Sequence, residues 1–191
     1  ARGAGGEDDI GLTLWVGELV TKSARQVSSR RLNAVLGNPC DWSGDEALVC
    51  TLVPTDRGAE PVAPLTPTGP IVQEALTGSA DRAATYQDLL KSPHDEAIFA
   101  HYATSQLARL ALDGTVTNIG TSAIISGATV SPDGQWMLVT TLTRPFSYSV
   151  TLNFFPTRIE VWTPDGRVVR TLASRPLIER VSWGSDGAQS G

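Results

Sequence analysis

Ser131-Pro132-Asp133-Gly134, followed at once by Gln135-Trp136-Met137-Leu138-Val139-Thr140-Thr141-Leu142, reads as a tight turn running into a strand. Pro presets φ, Asp hydrogen-bonds to backbone just ahead of it, and Gly accepts a left-handed conformation. The run that follows is β-branched and apolar, as a strand requires. The same device stands at Ser43-Gly44-Asp45-Glu46, ahead of Ala47-Leu48-Val49-Cys50-Thr51-Leu52-Val53, and again at Trp183-Gly184-Ser185-Asp186-Gly187. A second hairpin alternates with it: residues 12–16 lead to 25–27, residues 106–110 to 115–118, and residues 159–162 to 168–172. Two hairpins per unit make four strands per unit. Recurring four-stranded units predict an all-β chain forming a partial β-propeller, about two full blades plus parts of two others, with a short helical insertion.

The boundaries follow from this rhythm. Residues 1–11 are Gly-rich and polar and are expected to fray, and 12–191 form the partial propeller. A turn at Thr21-Lys22-Ser23-Ala24 closes the last hairpin of a first blade. A second blade runs from about Leu32 to Gly120, a third from about Ala123 to Ala173, and residues 178–191 open a fourth. Insertions at 54–104 and 143–157 separate the hairpins of the second and third blades. A ring needs more blades than this, so the 191 residues read as a piece of a longer protein, marginally stable or self-associating by itself.

Within the first insertion Pro61, Pro64, Pro67 and Pro70 recur every third residue, the period of a polyproline II strut. A stiff connection packed on its own protein is favoured over an SH3-type ligand. Thr85 is placed to cap a helix over Tyr86–Leu90. Ser92 caps a second, with Pro93 at its first position and Asp95 and Glu96 at the positive end of the helix dipole. Ile98, Phe99 and Tyr102 form an apolar stripe on that helix. The second insertion concentrates Phe146, Tyr148, Phe154 and Phe155, an unusual density for a loop, and loops carry most functional contacts.

Composition sets limits. Hydrophobic content is 41% and charged content 18%, which suits a packed domain. A net charge of −5 gives no support for nucleic-acid binding, and no apolar run reaches the length of a membrane span, so neither partner is expected. Lys22, Arg25, Arg30 and Arg31 read as a solvated strand and loop rather than a ligand patch. Cys40 and Cys50 flank the first turn. Two buried free thiols are the favoured reading, and a disulfide is the alternative.

Catalytic signatures are missing. There is no Gly-x-Ser-x-Gly elbow, no P-loop and no dinucleotide glycine motif. His94 and His101 stand two helical turns apart, about 10 Å of rise, too far to share a zinc ion. No catalytic residue, metal ligand or cofactor is therefore expected, and the chain alone is expected to lack peptidase activity.

Five motifs occur in order: Thr85-Tyr86-Gln87-Asp88-Leu89-Leu90, Phe99-Ala100-His101-Tyr102-Ala103-Thr104-Ser105-Gln106, Arg144-Pro145-Phe146-Ser147-Tyr148, Phe155-Pro156, and Ile159-Glu160-Val161-Trp162. In these the chain resembles the N-terminal propeller of glutamyl endopeptidase-like serine peptidases, a branch of the prolyl oligopeptidase family. The resemblance covers roughly residues 12–187. It implies a propeller that restricts access to a C-terminal α/β-hydrolase domain, whose catalytic residues are not in this chain, and a peptide substrate with an acidic residue at the cleavage point. Arg144 and Tyr148 are the expected substrate-binding residues, since a guanidinium holds a carboxylate with two parallel hydrogen bonds. A non-enzymatic propeller that scaffolds protein–protein contacts is the alternative function.

Overall fold

The computed structural model describes residues 11–64 and 89–179. The element order is β1 (Trp15–Glu18), β2 (Ser23–Gln26), β3 (Cys40–Trp42), β4 (Ala47–Leu52), α1 (Pro93–Ala103), β5 (Thr104–Ala111), β6 (Val116–Val130), β7 (Met137–Leu142), β8 (Thr157–Trp162) and β9 (Val168–Arg175). The all-β expectation holds, with one α-helix and one short 3-10 turn at Leu152–Phe154 among the described residues. β1 and β2 pair as a hairpin, and β3 to β9 form an open antiparallel meander in chain order.

The meander divides at β6. Residues 116–124 pair with β5, and residues 125–130 pair with β7. One half is therefore β3, β4, β5 and the start of β6. The other is the end of β6, β7, β8 and β9. The sequence places a break between two strands near Gly120–Ala123. The structure runs one 15-residue strand through it, with register shifts at Ser105/Leu107 and Ile125/Gly127. Such bulges bend a strand and let it serve two sheets.

The two halves pack on each other. Val49, Leu107 and Ile119 of the first join Met137, Val139 and Trp162 of the second in one buried cluster. Burying a large apolar side chain contributes about 1.5–3 kcal/mol, so this cluster is a principal tie between the halves. The β8–β9 turn presses directly on β6. A Cβ at Gly166 would overlap the Gly120 backbone, and a Cβ at Gly120 would stand 3.0 Å from the Trp162 ring. Only glycines permit this approach, and both have positive φ, 59° at Gly120 and 88° at Gly166. The opposite face of the first half, with Leu48, Cys50, Leu52, Ala108 and Leu110, is covered by Leu14 and Leu32 from the N-terminal segment.

The two recurring turns form as their residues dictate. Gly44 and Gly134 have φ of 72° and 70°. The Ser43 N–H donates to Ala47 O at 2.8 Å, and the Ser131 N–H to Trp136 O at 2.9 Å. The first hairpin turns two residues earlier than its composition indicates, over residues 19–22, with Lys22 at a φ of 51°. The third copy of the turn, at Ser185-Asp186, lies outside the described residues. So do the frayed start (all but Gly11), most of the Tyr86–Leu90 helix, Pro67 and Pro70. Residues 89–90 carry no helix.

Cys40 and Cys50 correct the favoured reading. They are joined in a disulfide, and the described residues contain no free cysteine. Cys40 pairs directly with Cys50 in the β3–β4 register, with their Cα atoms 4.1 Å apart. Cross-strand neighbours at positions that do not exchange backbone bonds come this close, and the flanking 41–49 pair takes the bonds.

Candidate functional site

α1 positions the first half of the site. Ser92 caps it, its hydroxyl accepting from the Asp95 N–H at 3.1 Å, and Pro93 opens the first turn. Phe99 is the part of the expected stripe that packs as an anchor. It meets Phe146 and Phe155 edge-on, with centroids 5.1 and 6.0 Å away. Tyr102 departs from the stripe: it is 39% exposed, and its hydroxyl donates to Glu60. That hydrogen bond is the main reason its phenol is raised above the usual tyrosine range.

A polar knot fixes the far end of the helix. Asn33 Nδ2 donates to the Tyr102 and Thr104 carbonyls, both at 2.9 Å. Arg57 Nη2 reaches the same oxygens at 3.2 and 3.1 Å. These carbonyls face the negative end of the helix dipole, where a cation is favoured. Burial, and then the charge of Arg31, push the Arg57 guanidinium below its ordinary value.

The loop over residues 143–157 supplies the second half. Its aromatics are largely turned inward. Phe146 and Phe155 are buried and stack with a centroid distance of 5.3 Å, and Leu142 and Val150 complete the cluster against α1. The Arg144–Pro145 peptide is cis.

Arg144 and Tyr148 are brought together by one acceptor, Glu96, in the first turn of α1. Arg144 is ion-paired with Glu96 Oε1, and the Tyr148 hydroxyl donates to Glu96 Oε2 at 2.9 Å. The Arg144 guanidinium lies over the Phe146 ring, 4.8 Å from its centroid, while 60% of its side chain stays exposed. Two donors on one loop thus read both oxygens of a single carboxylate. Charge-assisted hydrogen bonds of this kind are the strong ones.

Glu96 is the residue that sequence reasoning missed in this role. Its place in the first helical turn explains its charge but does not reveal its partners. Ser147 is buried, but its hydroxyl is committed to Ser149 and to Glu179 Oε1 at 3.1 Å. His94 and His101 share α1, and no cluster of metal-binding side chains occurs among the described residues. No described helix is long and apolar enough to cross a membrane.

Comparison with known proteins adds a direction. The chain is 36% identical over 183 residues to a probable chloroplastic glutamyl endopeptidase of Oryza sativa subsp. japonica, across 94% of this chain and 19% of that protein. It is 36% identical over 181 residues to a protein of the same description from Arabidopsis thaliana, across 93% of this chain and 19% of the relative. The chain therefore spans about a fifth of the length of these curated relatives, and by sequence it is peptidase-related. No protein-family model matches it. No solved structure matches it.

Proposed function

We propose that this chain is part of the N-terminal β-propeller of a serine-type peptidase of the prolyl oligopeptidase family, where it restricts which peptides reach a C-terminal α/β-hydrolase domain. The observation that carries the reading is the similarity to plant glutamyl endopeptidases along nearly the whole chain. The stacked four-stranded halves support it, because successive blades bury their faces against one another. The outer side of the second half supports it too. Leu138 is 44% and Trp136 43% exposed beside an apolar depression of about 300 Å³, which suits cover by a further blade.

In this reading the 143–157 loop contributes to the choice of acidic peptides. Arg144 and Tyr148 offer two donors to a carboxylate, and Glu96 holds them in place until substrate arrives. The test is kinetic and uses the complete enzyme. Arg144→Ala is expected to lower kcat/KM for acidic peptides by about 1.5–3 kcal/mol, with little change for neutral ones. An equal loss for both classes, together with lower stability, assigns Arg144 to holding the loop on α1.

A further inference from the structure

Arg144 and Tyr148 already hold a carboxylate, and it is a glutamate side chain from the protein's own helix. Glu96 gives Oε1 to Arg144 and Oε2 to the Tyr148 hydroxyl, so both of its oxygens are engaged. The donors stand on the 143–157 loop and the acceptor in the first turn of α1. A ligand carboxylate that takes both donors must therefore take the place of Glu96.

The exchange is mild for three reasons. The loop does not depend on the ion pair for its position, because Phe146 and Phe155 are buried with Leu142 and Val150, and Phe99 meets both rings edge-on. Arg144 is mostly exposed and rests on the Phe146 ring, so solvent reaches its guanidinium without any opening of the core. A pair with an exposed partner of this kind adds little net stability. Glu96, once released, remains at the positive end of the dipole of an 11-residue helix and keeps some contact with water. No buried charge is stranded. The cost is small but not zero, since Glu96 gives up two donors and is left beside the arriving carboxylate, and like charges oppose one another.

We infer that Glu96 is an internal competitor: its carboxylate occupies the position of an acidic substrate side chain at Arg144 and Tyr148, and acidic peptides bind more weakly because they must displace it. The competition rests on the reading of the 143–157 loop as a chooser of acidic peptides. Its sign is opposite to that of a positioning contact. Removing a residue that merely orients Arg144 weakens the binding of acidic peptides, whereas removing a competitor strengthens it.

The test uses the complete protein and two quenched fluorescent peptides that differ only in Glu or Gln at the cleavage point. Glu96→Gln keeps the side chain's shape and removes its charge. It is expected to lower KM for the Glu peptide, relative to the Gln peptide, by about two- to fivefold, the worth of a partly exposed pair. Glu96→Asp leaves a charge at the helix start, draws it back by one methylene, and is expected to shift the preference the same way. In the Arg144→Ala background the gain from Glu96→Gln is expected to vanish. A relative KM for the Glu peptide that is unchanged or higher in both variants overturns the competition. So does an equal change for both peptides with a lower unfolding midpoint, which assigns Glu96 to holding the loop. If Arg144→Ala alone leaves the preference for Glu over Gln unchanged, the acidic-peptide reading fails and the competition with it. A preference that Arg144→Ala lowers and Glu96→Gln does not raise overturns the competition alone.

Discussion

The first half of the meander, from β3 to the start of β6, has its extra fastening in covalent and polar form. The Cys40–Cys50 disulfide clips the three-residue β3 to β4, and Asn33 and Arg57 tie the neighbouring loops to the α1–β5 junction. The second half, from the end of β6 to β9, has its fastening in aromatic form, with Phe146 and Phe155 of the 143–157 loop gripping Phe99 of α1. Both halves follow the same four-stranded plan. The contrast teaches that the plan sets the strands, while the insertions decide how each unit is held. A three-residue edge strand has little area to bury and is helped by a crosslink. A long loop needs an apolar floor to remain in one place.

Removing the aromatic floor is the strongest way to break this contrast. Phe146→Ala is expected to cost about 3–5 kcal/mol in denaturant unfolding of the complete protein and to release the 143–157 loop to hydrogen exchange. A loss below about 1 kcal/mol places the fastening elsewhere. Next is the crosslink. Replacing both cysteines by alanine opens a loop with a sequence separation of 10, and the expected cost is about 2–4 kcal/mol, with exchange rising first in β3. An intact β3 and an unchanged unfolding midpoint would show that the polar knot suffices.

The smallest effect sharpens the comparison at the turns. Asp133 is held below the usual carboxyl range, chiefly by the Ser131 hydroxyl and then by the Gln135 N–H. A depressed native pKa contributes stability above the unfolded carboxyl's range, near roughly 4, and loses it as pH falls through the native value. Asp133→Ala is therefore expected to lower the urea midpoint slightly at pH 7. The difference should shrink and vanish as the pH falls below the native value of the Asp133 carboxyl. A difference that persists unchanged in acid assigns the loss to packing rather than charge.

The strands and turns were legible because their signals are local. The Gly residue at positive φ, the Asp beside it and the β-branched run after it all lie within about ten residues, and the hairpins at 43–46 and 131–134 form where those signals stand. Pairings between distant residues were not legible in the same way. Glu96 meets Arg144 and Tyr148 only because α1 folds back on the second half, and no short pattern encodes that. Arg144 and Tyr148 were found through motif resemblance, and the structure adds the carboxylate they share. The aromatic density at 143–157 was visible, but its inward direction depends on Phe99, a residue from another insertion. The disulfide was ambiguous because a cross-strand cysteine pair looks the same in sequence whether bonded or free.

Face-to-face stacking of four-stranded units as blades of a ring is tested most directly by an electron cryomicroscopy structure of the complete protein. The expected result is a closed ring in which the first and second halves are neighbouring blades, with Trp136 and Leu138 covered by the next blade. A structure in which that face meets the catalytic domain or solvent, with no ring, contradicts the propeller reading.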